Sequence, residues 1–170
     1  MKWKFPPTGR LKVNVDGSFH ANTGRGGLGV VVRNDRGICI AALAKFIPHA
    51  KSALHMEAMA LRAGILMIIQ EQWDDVEIEC DCSVLAATLA RTDNDFSDIG
   101  CIVEDCKTYM ESISSVQVQI VHREANCVAN RLAQLASSSS IDYIWLDETP
   151  AIIQDVLYDD IYHAFIVSRV

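Results

Sequence analysis

The sequence predicts an α/β domain of three layers: a mixed five-stranded sheet, three antiparallel strands and then parallel additions, with helices on both faces. Three observations carry this expectation. Five short stretches alternate in polarity or are rich in β-branched residues, the mark of strands. The third and fourth are separated by one long stretch at helical period, a strand–helix–strand step that sets strands parallel. The 170 residues, half apolar and 22% charged, suit one domain with a real core.

Each element has its own signal. Leu11–Asp16 alternates strictly, so Leu11, Val13 and Val15 face one way and Lys12, Asn14 and Asp16 the other. Residues 22–27, Asn-Thr-Gly-Arg-Gly-Gly, read as a turn before the strand Leu28–Arg33, and Asn34-Asp35-Arg36-Gly37 as a hairpin turn into a strand over Ile38–Phe46. These three strands form an antiparallel meander. Ser52 is placed to cap a helix over Ala53–Gln72, whose Leu54, Ala58, Leu61, Ile65 and Ile68 recur at helical spacing. Val76–Asp81 repeats the alternation of the first strand. Helices follow over Val84–Ala90 and Ser97–Ile113, a fifth strand over Val116–Val121, and a helix over Ala125–Ala136. The serines 137–140 read as a flexible connector. The division expected is a domain over 1–140 and an acidic, helical C-terminal extension over 141–170.

Composition narrows the function. No apolar run approaches the ~20 residues of a membrane span, and Met1-Lys2-Trp3-Lys4 leads into no apolar stretch, so the expectation is an intracellular, soluble protein with no membrane partner; nucleus or cytoplasm is not resolved, nor is oligomeric state. Six cysteines lack C-x-x-C spacing and read as reduced thiols. The net charge of −7 argues against a generic nucleic-acid binder, but its distribution is uneven. Residues 1–62 carry ten basic and three acidic residues, whereas residues 63–170 carry five and nineteen. Such asymmetry leaves room for one basic face on an acidic body.

Two strands of one design end in aspartate, at Asp16 and Asp81. Were they parallel neighbours in register, the carboxylates would converge at one end of the sheet, and Glu57 in the first turns of the intervening helix would point to the same place. Three close carboxylates repel unless a cation neutralises them, and hard oxygen ligands suit Mg²⁺ or Mn²⁺. Capping and helix-dipole preferences also put acids at such positions, so spacing alone leaves both readings open.

Residues 13–19 (Val-Asn-Val-Asp-Gly-Ser-Phe), 26–33 (Gly-Gly-Leu-Gly-Val-Val-Val-Arg), 55–61 (His-Met-Glu-Ala-Met-Ala-Leu), 79–82 (Glu-Cys-Asp-Cys) and 123–133 (Arg-Glu-Ala-Asn-Cys-Val-Ala-Asn-Arg-Leu-Ala) occur in order. Together they resemble the plant-type ribonuclease H domain of the ribonuclease H-like superfamily, related to the domain that accompanies reverse transcriptases. The likeness covers about residues 3–140 and implies a ribonuclease H-like fold, a retroelement-derived history, and a metal-dependent endonuclease that cleaves the RNA strand of RNA–DNA hybrids. It further implies two Mg²⁺ or Mn²⁺ ions in the active complex. By motif match Asp16 would bridge them, Glu57 would help bind one and orient water, and Asp81 would complete the site. Asn14, Gly17, Ser18, Asn22 and Arg25 would meet the hybrid backbone.

Three departures bear on activity. Asn130 stands where the family has a fourth acid, so it is a ligand without charge and unable to act as a base, and weaker metal binding and slower turnover are expected. The family's active-site histidine has no match except His122 as an accessory group. The basic handle of some bacterial members is missing, since residues 91–111 contain only Arg91 and Lys107 as bases. These departures keep open a second reading, a catalytically impaired module that binds nucleic acid or protein.

Overall fold

A computed structural model describes residues 2–95 and 97–168; Arg169 and Val170, the end of the expected C-terminal extension, lie outside the described residues. The strands are β1 (Leu11–His20), β2 (Arg25–Arg33), β3 (Cys39–Ile47), β4 (Asp75–Cys80), β5 (Ser115–Ile120) and β6 (Asp142–Leu146). The helices are α1 (Ala53–Gln70), α2 (Ser83–Ala90), α3 (Gly100–Met110), α4 (Cys127–Ser139) and α5 (Gln154–Val167). The sheet runs β5-β4-β1-β2-β3-β6. The β1-β2-β3 meander is antiparallel, and β4 and β5 are added in parallel on the other side of β1.

The alternation of β1 sorts its side chains as expected. Val13 and Val15 join Val30, Val32 and Ile78 under α1 and α3, where Leu61, Ile65, Ile68 and Val103 complete the larger core. Ser52 accepts a hydrogen bond from the His55 N–H and opens α1. By length and composition α1 is apolar enough to cross a bilayer, but it is the core helix, and Arg62 on its outer side pairs with Asp105 of α3. On the opposite face Val31, Ala42 and Ala44 pack against Val128, Ala129, Leu132 and Ala136 of α4, with Ile153 and Leu157 from the C-terminal segment. Helices therefore cover both faces. All six cysteines are free thiols.

Three local expectations need correction. Gly26 and Gly27 lie inside β2 rather than in a turn. The serine run is no connector: α4 continues to Ser139, Ser137 is fully buried, and the left-handed Ser140 (φ 55°) ends the helix. The sheet has six strands, not five. Asp142–Leu146, expected to be helical, pairs antiparallel with β3 because Tyr-Ile-Trp-Leu favours a pleated surface, and only α5 behind it is a helix.

Candidate functional site

Parallel pairing of β1 with β4 aligns Asn14 with Glu79, so Asp16 and Asp81, two residues further along each chain, come level; Asp81 lies just past the end of β4, whereas β1, expected to end at Asp16, runs on to His20. Gly17 explains how Glu57 reaches them. A β-carbon there would stand 2.4 Å from the Met56 carbonyl carbon and 2.6 Å from the Glu57 nitrogen, so only glycine lets the first turns of α1 press on the end of β1. Ligand atoms of Asp16, Glu57 and Asp81 all lie within 4.8 Å of one another.

The fourth member arrives the same way from the other face. Gly29 is the β2 partner of Asp16, and a β-carbon on it would stand 2.1 Å from the Ala129 carbonyl oxygen. The bare backbone lets α4 lie on the strand, and Asn130 donates a hydrogen bond from Nδ2 to Asp16 Oδ2 at 2.7 Å. A sequence reading can see the glycines but not the helix that needs them.

The electrostatics of the cluster are unfavourable when no cation is bound. Burial, with the charges of Asp16 and Asp81 beside it, pushes the Glu57 carboxyl up to about 9. Burial likewise raises Asp16 to about 6, with Asp81 adding to the rise, while the Asn130 amide and the Arg123 charge oppose it. Glu57 Oε2 is buried and has no hydrogen-bond donor. An orphaned carboxylate oxygen among two other acids fits a hard divalent cation, which needs neither donor nor apolar surroundings. The donor set therefore fits the metal that the fold implies.

Asp16, Glu57, Asp81 and Asn130 line one cleft of about 640 Å³ together with Gly17, Ser18 and Arg123. The remaining residues expected there are placed differently. Asn14 is fully buried, bonded to Glu79, Asn126 and Arg33, and has no access to a ligand. Asn22 lies at the β1–β2 turn and lines a neighbouring hollow with Arg25. The Arg25 guanidinium is engaged by the Ser137 carbonyl and Ser140 hydroxyl and lies over the Phe46 ring. His122 is exposed and lines a separate hollow beside Lys4, Phe5 and Ile120 rather than the cleft, 4.0 Å from Glu124. The residue after it, Arg123, is the basic group of the cleft. The sequence reading missed it because adjacent residues of a loop point in different directions. His20 was passed over too; it lines the cleft, and its Nε2 lies 3.0 Å from Ser137 Oγ.

Comparison with known proteins follows the same outline. Residues 14–136 match the family described as Reverse transcriptase-like. Over 158 residues the chain is 28% identical to an Arabidopsis thaliana protein named for ribonuclease H, which covers 93% of this chain and 25% of that protein. The chain thus spans about a quarter of that relative's length. Among solved structures it is similar to RNase H1 of the halophilic archaeon Halobacterium salinarum, with a TM-score of 0.70, 24% identity, and 77% of this chain and 99% of that one covered. It is also similar to an N-terminal RNase H domain from Mycobacterium tuberculosis, at a TM-score of 0.69, 21% identity, and 77% and 95% covered. A third is LC11-RNase H1 in complex with an RNA/DNA hybrid, at 0.66, 18% identity, and 76% and 98% covered. At these identities the solved structures establish the shared fold.

Proposed function

Because the chain belongs to the Reverse transcriptase-like family of ribonuclease H-like domains, we propose that it is a metal-dependent endoribonuclease that cleaves the RNA strand of RNA–DNA hybrids, slowed by Asn130. One observation carries the reading: three carboxylates whose ligand atoms lie within 4.8 Å, one with a buried oxygen lacking any donor. Asp16, Glu57 and Asp81 would hold two Mg²⁺ or Mn²⁺ ions, with Asn130 as a neutral fourth ligand. Bound there, the ions would supply positive charge beside the scissile phosphate and an attacking water of lowered pKa.

The chain's own groups do the rest. Asp16, bonded by Asn130 and beside Glu57 and Asp81, would be a ligand of the metal. Glu57 would hold the metal as a carboxylate, and one of its oxygens would accept a hydrogen bond from the attacking water and orient it. The Asn130 amide must turn to present its oxygen, since an N–H aimed at Asp16 opposes a cation. Arg123 offers its guanidinium to a phosphate, and Ser18 and His20 offer hydroxyl and imidazole groups to the sugar–phosphate backbone and its 2′-hydroxyls. The amide hydrogen bond to Asp16 also favours a second reading, a hybrid-binding module without turnover, because it occupies an oxygen that a metal would use.

A labelled hybrid incubated with the protein in millimolar Mg²⁺ or Mn²⁺, beside an Asp81→Asn variant, separates the two. Cleavage by the wild type and none by the variant is the expected result. A folded wild type that binds hybrid without cutting it would leave the module reading.

A further inference from the structure

Behind the carboxylates lies a buried polar network that no part of the proposed reaction uses. Arg33 is fully buried, with its guanidinium 3.9 Å from the centre of the Trp3 ring. Nη1 donates to Asp160 of α5 at 2.7 Å, and Nη2 donates to Asn14 Oδ1 at 2.8 Å. Asn14 Nδ2 in turn donates to Glu79 Oε2 at 2.9 Å and to Asn126 Oδ1 at 3.2 Å. Asn126 Nδ2 then donates to the Val15 carbonyl at 2.9 Å.

The members are spaced in a telling way. Asn14 stands two residues before Asp16 on β1, Glu79 two before Asp81 at the end of β4, and Asn126 four before Asn130 on α4. Each is one strand repeat or about one helical turn from a cleft residue. We propose that this network is the frame that sets the spacing of the carboxylate site, and that Asp160 is a positioning residue for it. Asp160 holds one arm of the guanidinium, so the other must face Asn14 and turns its amide oxygen that way. The amide nitrogen is left for Glu79 and Asn126, and the orientation of Asn126 follows. A guanidinium can only donate and an amide can donate from one end only, so Arg33, held in place by Asp160, fixes the polarity of the whole chain of hydrogen bonds. The match to the family model ends at residue 136, and α5, beyond it, reaches the network through Asp160.

The inference rests on the reading that Asp16, Glu57 and Asp81 bind a divalent cation, and the test keeps the two apart. Mn²⁺ binding to the full chain is measured from the electron paramagnetic resonance signal of the free ion, with thermal unfolding alongside. The proteins are wild type, Asp160→Asn, the double variant Arg33→Met with Asp160→Leu, and Asp16→Asn as the site control. We expect Asp160→Asn to bind Mn²⁺ about tenfold more weakly, in line with the effect of groups that orient metal ligands. The double variant removes both charges, so its thermal midpoint recovers while its affinity does not, because Asn14 has lost the donor that orients it. A purely structural role for the pair would return both. Wild-type affinity in folded Asp160→Asn, or in the double variant should the single one not fold, overturns the inference while Asp16→Asn still weakens binding. Unchanged binding in Asp16→Asn places the fault in the carboxylate reading, and the inference falls with it.

Discussion

Replacing Asn130 with aspartate tests the electrostatics of the cleft most directly. The change removes a hydrogen bond of 2.7 Å to Asp16 and puts a second carboxylate in its place. A hydrogen bond to a charged group contributes about 1.5–3 kcal/mol, and two unit charges about 4 Å apart repel by about 4 kcal/mol at an effective dielectric of about 20. The cleft is open to water on one side and the new group can take up a proton, so the full sum is not reached. We expect the metal-free variant to lose about 3 kcal/mol at pH 8, a fall in thermal midpoint of about 6–12 °C for a chain of this size. At pH 5 Asp16, whose carboxyl is raised to about 6, is itself largely protonated, so the repulsion is lifted and the loss shrinks below about 1 kcal/mol. The sign reverses with metal. Binding to the folded state alone returns about 2.7 kcal/mol at a hundredfold excess over Kd, and the extra charge lowers Kd, so the variant gains more from Mg²⁺ than the wild type does and cleaves faster. Thermal unfolding in EDTA at both pH values, then in Mg²⁺, measures each quantity. Equal stability of variant and wild type at pH 8, or an equal loss at both pH values, would refute the placement of Asn130 against a charged Asp16.

Three further outcomes follow from the same geometry. Because the folded Glu57 carboxyl is raised to about 9, the metal-free protein keeps a proton that the unfolded chain has released above its ordinary value of about 4.3; stability therefore falls as pH rises between these values, by up to about 1.4 kcal/mol per pH unit. Glu57→Gln should flatten that slope in denaturant titrations and abolish cleavage; an unchanged slope would contradict the assignment. Gly29→Ala forces a β-carbon to within 2.1 Å of the Ala129 carbonyl, so α4 must lift from the sheet, and we expect a loss of about 3 kcal/mol or more in urea unfolding. Arg123→Ala should raise KM for a hybrid about tenfold, weaken the salt dependence of binding, and leave the thermal midpoint in place.

Much of this architecture is legible in the order of residues, and the remainder fails for identifiable reasons. Alternation in Leu11–Asp16 and Val76–Asp81 gives the two strands and the face on which their acids stand, because a strand's period is local. The carboxylate cluster needed one long-range assumption, parallel neighbours in register, and β1 and β4 satisfy it. Glycine was misread at 26 and 27, where a bare strand, under Met56 of α1 at 26 and under α4 at 27, has the same local signature as a turn. The serines at 137–140 were misread because burial of Ser137 against Ser18 and His20 depends on contacts more than a hundred residues away. Asn14 looked like a backbone contact because its polarity was visible and its partners Arg33, Glu79 and Asn126 were not. Sheet membership of Tyr143–Leu146 was invisible for a similar reason: an edge strand declares itself through the partner it joins.

The order of strands in the sheet also governs when the molecule's internal conflict arises during folding. The first three strands are neighbours along the chain as well as in space, so their hairpins can close quickly over short loops. The join between β1 and β4 must bridge some sixty residues, which costs more loop entropy and comes later. Asp81 meets Asp16 only at that join. The repulsion that Asp81 adds is accordingly absent from the early, local steps and falls in the closing one, where it speeds escape from the finished structure more than it slows arrival.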